Sequence, residues 1–261
     1  MTATELYRAG RLADAIAAQL EQVKANPADQ GRRLFLFELA AFAGDWERAR
    51  RQIDALRFDN PEQEMSGQGY RDLLDAEDAR TRVFRDAVLP EFLIPPPPWV
   101  FQRLEAVAAL KAGKAADAAA LVAASDEAAA PVAGILNRAP VVGLRDADDL
   151  FGPILEVMAK GVYYWVPLEQ VEGMAANPPK FPRDLVWFPA KLSVRNGPEG
   201  DLFIPTRYPG TTASADEALK LARATDWPEP GDGPVRGLGM RLFAAGDAAI
   251  PVTEVRELIP A

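Results

Sequence analysis

The stretch Phe203–Thr211, FIPTRYPGT, is the part of the chain that most resembles a reactive loop. Pro205 and Pro209 bracket Thr206, Arg207 and Tyr208, and Gly210 follows. A proline-flanked segment at a strand end would hold these side chains stiffly. Their chemistry is restricted by what the chain lacks. It contains no His and no Cys, so imidazole bases, Ser-His-Asp and Cys-His triads, and thiolate metal sites are ruled out. Without a base, Thr206 and Tyr208 have nothing to activate them, and a guanidinium cannot itself act as a base. Arg207 is therefore expected to bind a carboxylate, either Asp184 or another acid of the fold, or one on a partner.

Other carboxylates admit weaker readings. Asp146, Asp148 and Asp149 could ligate a hard cation, but an EF-hand spacing is absent. They read better as an exposed acidic start to a helix, RDADDL. Glu169 and Glu172 are three apart and read as solvated charges on a helical face. Gly231–Gly239, GDGPVRGLG, fits neither a phosphate-binding loop nor a dinucleotide fingerprint and reads as a loop before a strand. No cofactor is expected. Tyr163, Tyr164, Trp165, Trp187 and Phe188 read as packing residues, with a minority open to a role as an exposed anchor. Trp165, Trp187, Arg207 and Tyr208 are the candidate interaction or structural anchors.

The elements that position these residues fall into two parts. The first half is Ala-rich with helical spacing, as in Leu12, Ile16, Leu20 and Val23. Leu34–Ala43, LFLFELAAFA, suggests a helix buried on several sides. AGRLADA, AGDWERA and AGKAADA share Ala-Gly, four residues, then Ala. Gly10 and Gly44 are 34 residues apart and Gly44 and Gly113 are 69, about twice the tetratricopeptide period. Glycine breaks the first helix of each hairpin, and a small alanine (Ala15, Ala49, Ala118) lets the two helices approach. A following proline (Pro27, Pro61, Pro131) redirects the chain. Three hairpins are expected, over about Thr4–Ala25, Asp29–Arg57 and Trp99–Glu127, with a further helix near Ser66–Val88. Ile94–Trp99, IPPPPW, reads as a rigid lead-in to the third hairpin, or as a ligand for an aromatic groove.

From residue 144 onward the chain is richer in strands, Pro and Gly. FGPILEVMAKG reads as a short helix closed by Gly161, and VYYWVP as a strand. DLVWFPAKLSVRNGPEGDLFIPTRYPG reads as two strands around Asn196-Gly197, with Pro189 marking an edge or bulge. SADEALKLARATDW reads as an amphipathic helix with Ser214 and Glu217 as its capping box. Gly246-Asp247 turns one late strand into the next. The expectation is an α+β chain. Tetratricopeptide-like helical hairpins over residues 1–143 precede a small mixed domain of about five strands over 144–261.

The net charge of −9 argues against a nucleic-acid surface. The N-terminus carries charges where a signal peptide has its apolar core, and no apolar run is long enough to span a bilayer, so a cytoplasmic protein without membrane insertion is expected.

Longer segments carry a resemblance. FGPILEVMAKGVYYWVP, RDLVWFPAKL, FIPTRYPG, DEALKLARATDW and GLGMRLF, preceded by RAGRLADAI and PPPPW, resemble the ImpE/TagJ family of type VI secretion accessory proteins. The resemblance covers nearly the whole chain. It implies a non-enzymatic cytoplasmic adaptor that binds the N-terminal helical segment of the small contractile-sheath subunit, and it carries over no catalytic residue. The alternative is an enzyme of unrecognised type using Asp, Glu, Tyr or Arg in the second half. A pocket with converging carboxylates of raised pKa would favour the enzyme, and a shallow apolar groove the adaptor.

Overall fold

The computed structural model describes residues 1–57 and 60–261. Helices α1 (Ala3–Arg8) and α2 (Leu12–Ala25), α3 (Gln30–Ala43) and α4 (Trp46–Asp54), and later α6 (Trp99–Lys111) and α7 (Ala115–Ala128) form the three hairpins. Their starts are set by local chemistry. Thr2 and Glu5 cap α1 reciprocally, and Asp29 and Asp45 accept the backbone N–H of Arg32 and Arg48 at 3.0 and 2.9 Å. Gly44 ends α3 with φ 73°, and a Cβ there would lie 2.6 Å from that of Thr212. Only glycine fits both the left-handed backbone and this close approach. Ala15, Ala49 and Ala118 are fully buried where the helices of each pair meet.

The long helix α5 (Pro61–Asp86) links the second and third hairpins. Pro61 opens this helix rather than merely ending its predecessor, which suits proline's missing N–H at a first turn. The polyproline segment leads into α6 directly after Pro98. Just before it, Glu91 exchanges backbone hydrogen bonds of 3.1 Å with Tyr163 and Trp165.

Among the described residues the second half builds an eight-stranded sheet, β2–β1–β13–β6–β7–β8–β4–β5. Its strands are β1 (Ala133–Leu136), β2 (Ala139–Val142), β4 (Ile154–Ala159), β5 (Val162–Pro167), β6 (Val171–Ala176), β7 (Trp187–Val194), β8 (Glu199–Pro205) and β13 (Glu257–Pro260). A three-stranded sheet joins β12 (Ala248–Pro251), β11 (Leu242–Ala245) and β3 (Arg145–Asp146). The remaining pair is β9 (Thr225–Asp226) with β10 (Leu238–Gly239). One face of the large sheet packs on the helices through Ile154, Met158, Trp165 and Trp187. The other face, with Leu155, Val157, Phe188 and Ile204, packs against Phe243, Val252 and Val255.

Several local expectations change. FGPILEVMAKG is not a helix: Ile154–Ala159 is strand β4, paired with β5 and β8. A strand buried on both faces loses its alternation, so its continuous apolar run mimics a buried helix. SADEALKLARATDW yields only the short helix α8 (Glu217–Lys220), capped by Asp216 rather than Ser214. Glu169 and Glu172 lie on a 3-10 turn and on β6, not on one helical face. The strands outnumber the five expected, because short runs such as AGIL and APVV carry weak signals. β1 and β2 precede residue 144 and already belong to the large sheet. Pro189 pairs with Phe203 of β8, while the β6 ladder ends at Ala190, so β7 is a local edge at the proline.

Candidate functional site

FIPTRYPGT leaves the end of β8 and runs into the interior. Thr206, Arg207 and Tyr208 are all buried. Thr206 donates its hydroxyl to the Leu185 carbonyl at 2.7 Å. Arg207 ends on carbonyls, not on a carboxylate. It donates to Phe42 O at 2.6 Å, Ala41 O at 3.0 Å and Lys220 O at 2.7 Å. These are the last turns of α3 and α8, whose orphan carbonyls attract a cation. Burial lowers the Arg207 guanidinium to about 10, aided by Arg80 and opposed by Glu77. Asp184, the expected partner, instead accepts the backbone N–H groups of Lys180 and Phe181 at 2.8 and 3.0 Å.

Next to this loop lies a buried charge cluster. Arg241 pairs with both Asp146 and Glu156, all three fully buried, and its guanidinium lies 4.6 Å from the Phe151 ring centre and 5.0 Å from that of Tyr208. Arg80 reaches in from α5 to Glu156 at 2.7 and 3.1 Å, and donates to Arg207 O at 2.7 Å. Tyr163 donates its hydroxyl to Glu156, and Trp165 Nε1 donates to Tyr163 at 2.6 Å. Trp187 Nε1 donates to Glu77 at 2.9 Å, and Tyr208 OH to Asp146 at 2.9 Å. Asp148 is held by Arg236 at 2.8 and 2.9 Å and by the Gly237 N–H at 2.9 Å.

The four anchor candidates thus meet around one interior cluster, and Trp165, Trp187, Arg207 and Tyr208 are all buried. Asp146 and Asp148 are not an exposed acidic helix start. Among the described residues, no group of His, Cys, Asp or Glu is placed to hold a metal ion. Burial raises Asp146 to about 6 against the opposing pull of Arg241. Asp146 and Glu156 are themselves fully buried. A cleft of about 330 Å³ between α5 and the Arg207–Thr212 loop is lined by Glu77 and Arg80, while Asp146 and Glu156 lie outside its lining. Each of those carboxylates is already engaged by guanidinium and hydroxyl donors, the arrangement that makes burying a charge tolerable.

Sequence reasoning missed Glu77, Arg80, Glu156 and Arg241. A signal was present in two of them. Glu156 interrupts PILEVMA and Arg241 interrupts GLGMRLF, and a charge inside an apolar run implies a buried partner. The partner's identity required the fold.

The two halves also cap one another. Glu217 accepts the N–H groups of Leu12 and Ala13 at the start of α2, at 3.0 and 2.7 Å. Arg223 donates to Tyr7 O and Arg8 O at the end of α1, at 2.8 and 3.0 Å. Arg183 pairs with Glu38 at 2.9 Å. Those capping bonds, with Arg207 on α3, seat the second half against helices α1–α3. Beside α5, Tyr70, Phe181, Pro189 and Phe203, half-buried or exposed, line a shallow groove of about 360 Å³, with the buried Leu73 and Trp187 behind them.

A family model described as ImpE protein matches residues 139–259. Over 258 residues the chain is 36% identical to the type VI secretion system accessory component TagJ of Pseudomonas aeruginosa, covering 99% of this chain and 90% of that one. The fold matches the crystal structure of protein VPA1032 from Vibrio parahaemolyticus with TM-score 0.89. That match covers 99% of this chain and 97% of the other at 22% identity, a likeness of fold. Near-complete coverage of the 36% identical relative, together with the ImpE match over the sheet-forming half, shows that this chain belongs to the ImpE/TagJ family.

Proposed function

We propose that this protein is a non-enzymatic accessory component of a bacterial type VI secretion system. It acts in the cytoplasm as an adaptor that binds the N-terminal helical segment of the small contractile-sheath subunit. The observation that carries this reading is the likeness to TagJ over 99% of the chain. The carboxylate cluster supports it, since its groups are spent on holding the halves together. In this reading Arg207, Tyr208, Trp187 and Trp165 are structural anchors that fix the shape of the binding surface. No helix among the described residues is long and apolar enough to cross a membrane.

The test is calorimetry with the small sheath subunit from the same genome, full length and lacking its N-terminal helical segment. Binding to the full-length subunit that is lost with the truncation is expected. Equal binding to both forms would overturn the helix assignment, and binding to neither would overturn the adaptor role for this subunit.

A further inference from the structure

The groove beside α5 lies where the helix layer stops short of covering the sheet. On β7 the side chains facing the helices run from Trp187, buried, through Pro189, half-buried, to Lys191, exposed. On β8 they run from Phe203, half-buried, to Asp201, exposed. Pro189 and Phe203 are paired neighbours, and Met158 of β4 continues the row on the far side of Phe203. The row is apolar and sits at sheet-facing positions that a two-layer fold normally covers with a helix.

The wall of the groove is α5, and it is cut low there. Ser66, Gly69 and Leu73 face the groove at helical spacing. A Cβ built on Gly69 would meet nothing within 4 Å, so the packing of this chain gives no reason for a glycine inside a helix, where alanine is more stable. A second hollow of about 180 Å³, lined by Gly69, Leu73, Met158 and Phe203, continues the groove along α5. Small residues on a helix let a neighbouring helix approach closely.

The two ends differ in charge. Lys180, Arg183 and Asp184 stand at the Phe181 end; Arg183 is paired with Glu38 and Asp184 accepts the backbone N–H groups of Lys180 and Phe181, whereas Lys180 is exposed and its side chain makes no ion pair among the described residues. Asp72 and Asp201 stand at the other end, with Lys160 beside them. A ligand complementary to this groove carries an acid at one end and a base at the other.

We propose that this groove, along Ser66–Leu73 of α5 and over Pro189 and Phe203, docks an amphipathic helix of a partner protein. The helix lies beside α5 as the missing member of the layer. Its apolar ridge enters over Gly69, and an acidic side chain meets Lys180. This deepens the adaptor reading and rests on it.

The probe is the small sheath subunit from the same genome, titrated into the full-length protein and its variants. Gly69→Phe fills the groove from a site with room for the side chain, so its melting temperature should not fall below that of wild type. Its affinity should drop by about tenfold or more. Lys180→Glu should weaken binding by about threefold or more, with less loss at high salt. Val142→Ser, on the exposed edge strand β2 at the other end of the sheet, should leave binding unchanged. Wild-type binding that depends on the partner's N-terminal segment, yet survives Gly69→Phe within about twofold, overturns the groove and leaves the adaptor reading standing. A wild-type protein that binds neither form of the subunit overturns both.

Discussion

Replacing Arg207 by methionine tests whether this residue works as a cap on helix ends or as half of an ion pair. Methionine keeps most of the volume and removes the donors. Three carbonyls lose a partner: Ala41 O, Phe42 O and Lys220 O. Ala41 O keeps the Gly44 N–H at 3.2 Å, leaving two acceptors as the main loss. A buried polar group left unsatisfied costs about 1–3 kcal/mol, so the two cost about 2–6 kcal/mol. Part of this is returned, because the variant no longer takes a charge out of water, the same desolvation that lowers the guanidinium to about 10. The expected net loss is about 3 kcal/mol. With an unfolding entropy of about 2.1 cal/mol/K per residue, 261 residues give about 0.55 kcal/mol/K and a fall in Tm of about 5 °C. The assay is differential scanning calorimetry of wild type, Arg207→Met, Asp184→Ala and the double variant. Because Asp184 binds backbone N–H groups elsewhere, the two effects should add to within about 0.5 kcal/mol. A coupling above about 1 kcal/mol, or a Tm for Arg207→Met within about 1 °C of wild type, would refute the capping argument.

Three further outcomes follow from the same interior. Glu156→Gln removes the charge shared by Arg80 and Arg241 in a fully buried site, and should destabilise by about 3–5 kcal/mol in urea unfolding, whereas a loss under about 1 kcal/mol would mean the cluster is not holding the halves together. Asp146, ordinarily 3.8, is raised by burial to about 6, so the folded chain binds this proton more tightly than the unfolded one. Its contribution is complete below pH 3.8 and lost as pH rises through about 6. Wild-type stability should therefore fall between about pH 4 and 6 relative to Asp146→Asn, and an equal or rising difference would contradict the shift. Glu217→Ala removes the acceptor for the Leu12 and Ala13 N–H groups and should cost about 1 kcal/mol, with faster amide exchange at the start of α2; unchanged exchange there would show that water replaces the cap.

Much of the helical half was legible. The Ala-Gly repeats marked the three hairpin turns because a left-handed residue and a small contact residue are local requirements that few amino acids meet. The β7–β8 hairpin was legible at Asn196-Gly197 for the same reason, with Asn196 at φ 53°. β4 was not, since a strand buried on both faces has no alternation to read. α8 was misread because Glu217 and Arg223 are drawn to the ends of α1 and α2, over 200 positions away, and no local propensity contains that competition.

The candidate site divides along the same line. The sequence alone determined which chemistries are ruled out, because the absence of His and Cys is a property of composition. It also singled out Arg207 as a stiffly held cation. Only the tertiary structure decided that this cation caps α3 and α8, that Asp146 and Glu156 share Arg241, and that a low wall at Gly69 opens a groove on the sheet. Charge and hydrogen-bonding capacity are carried by each residue. Which charges meet, and which surface stays uncovered, depends on contacts between segments far apart in the chain, and those exist only once the core has closed.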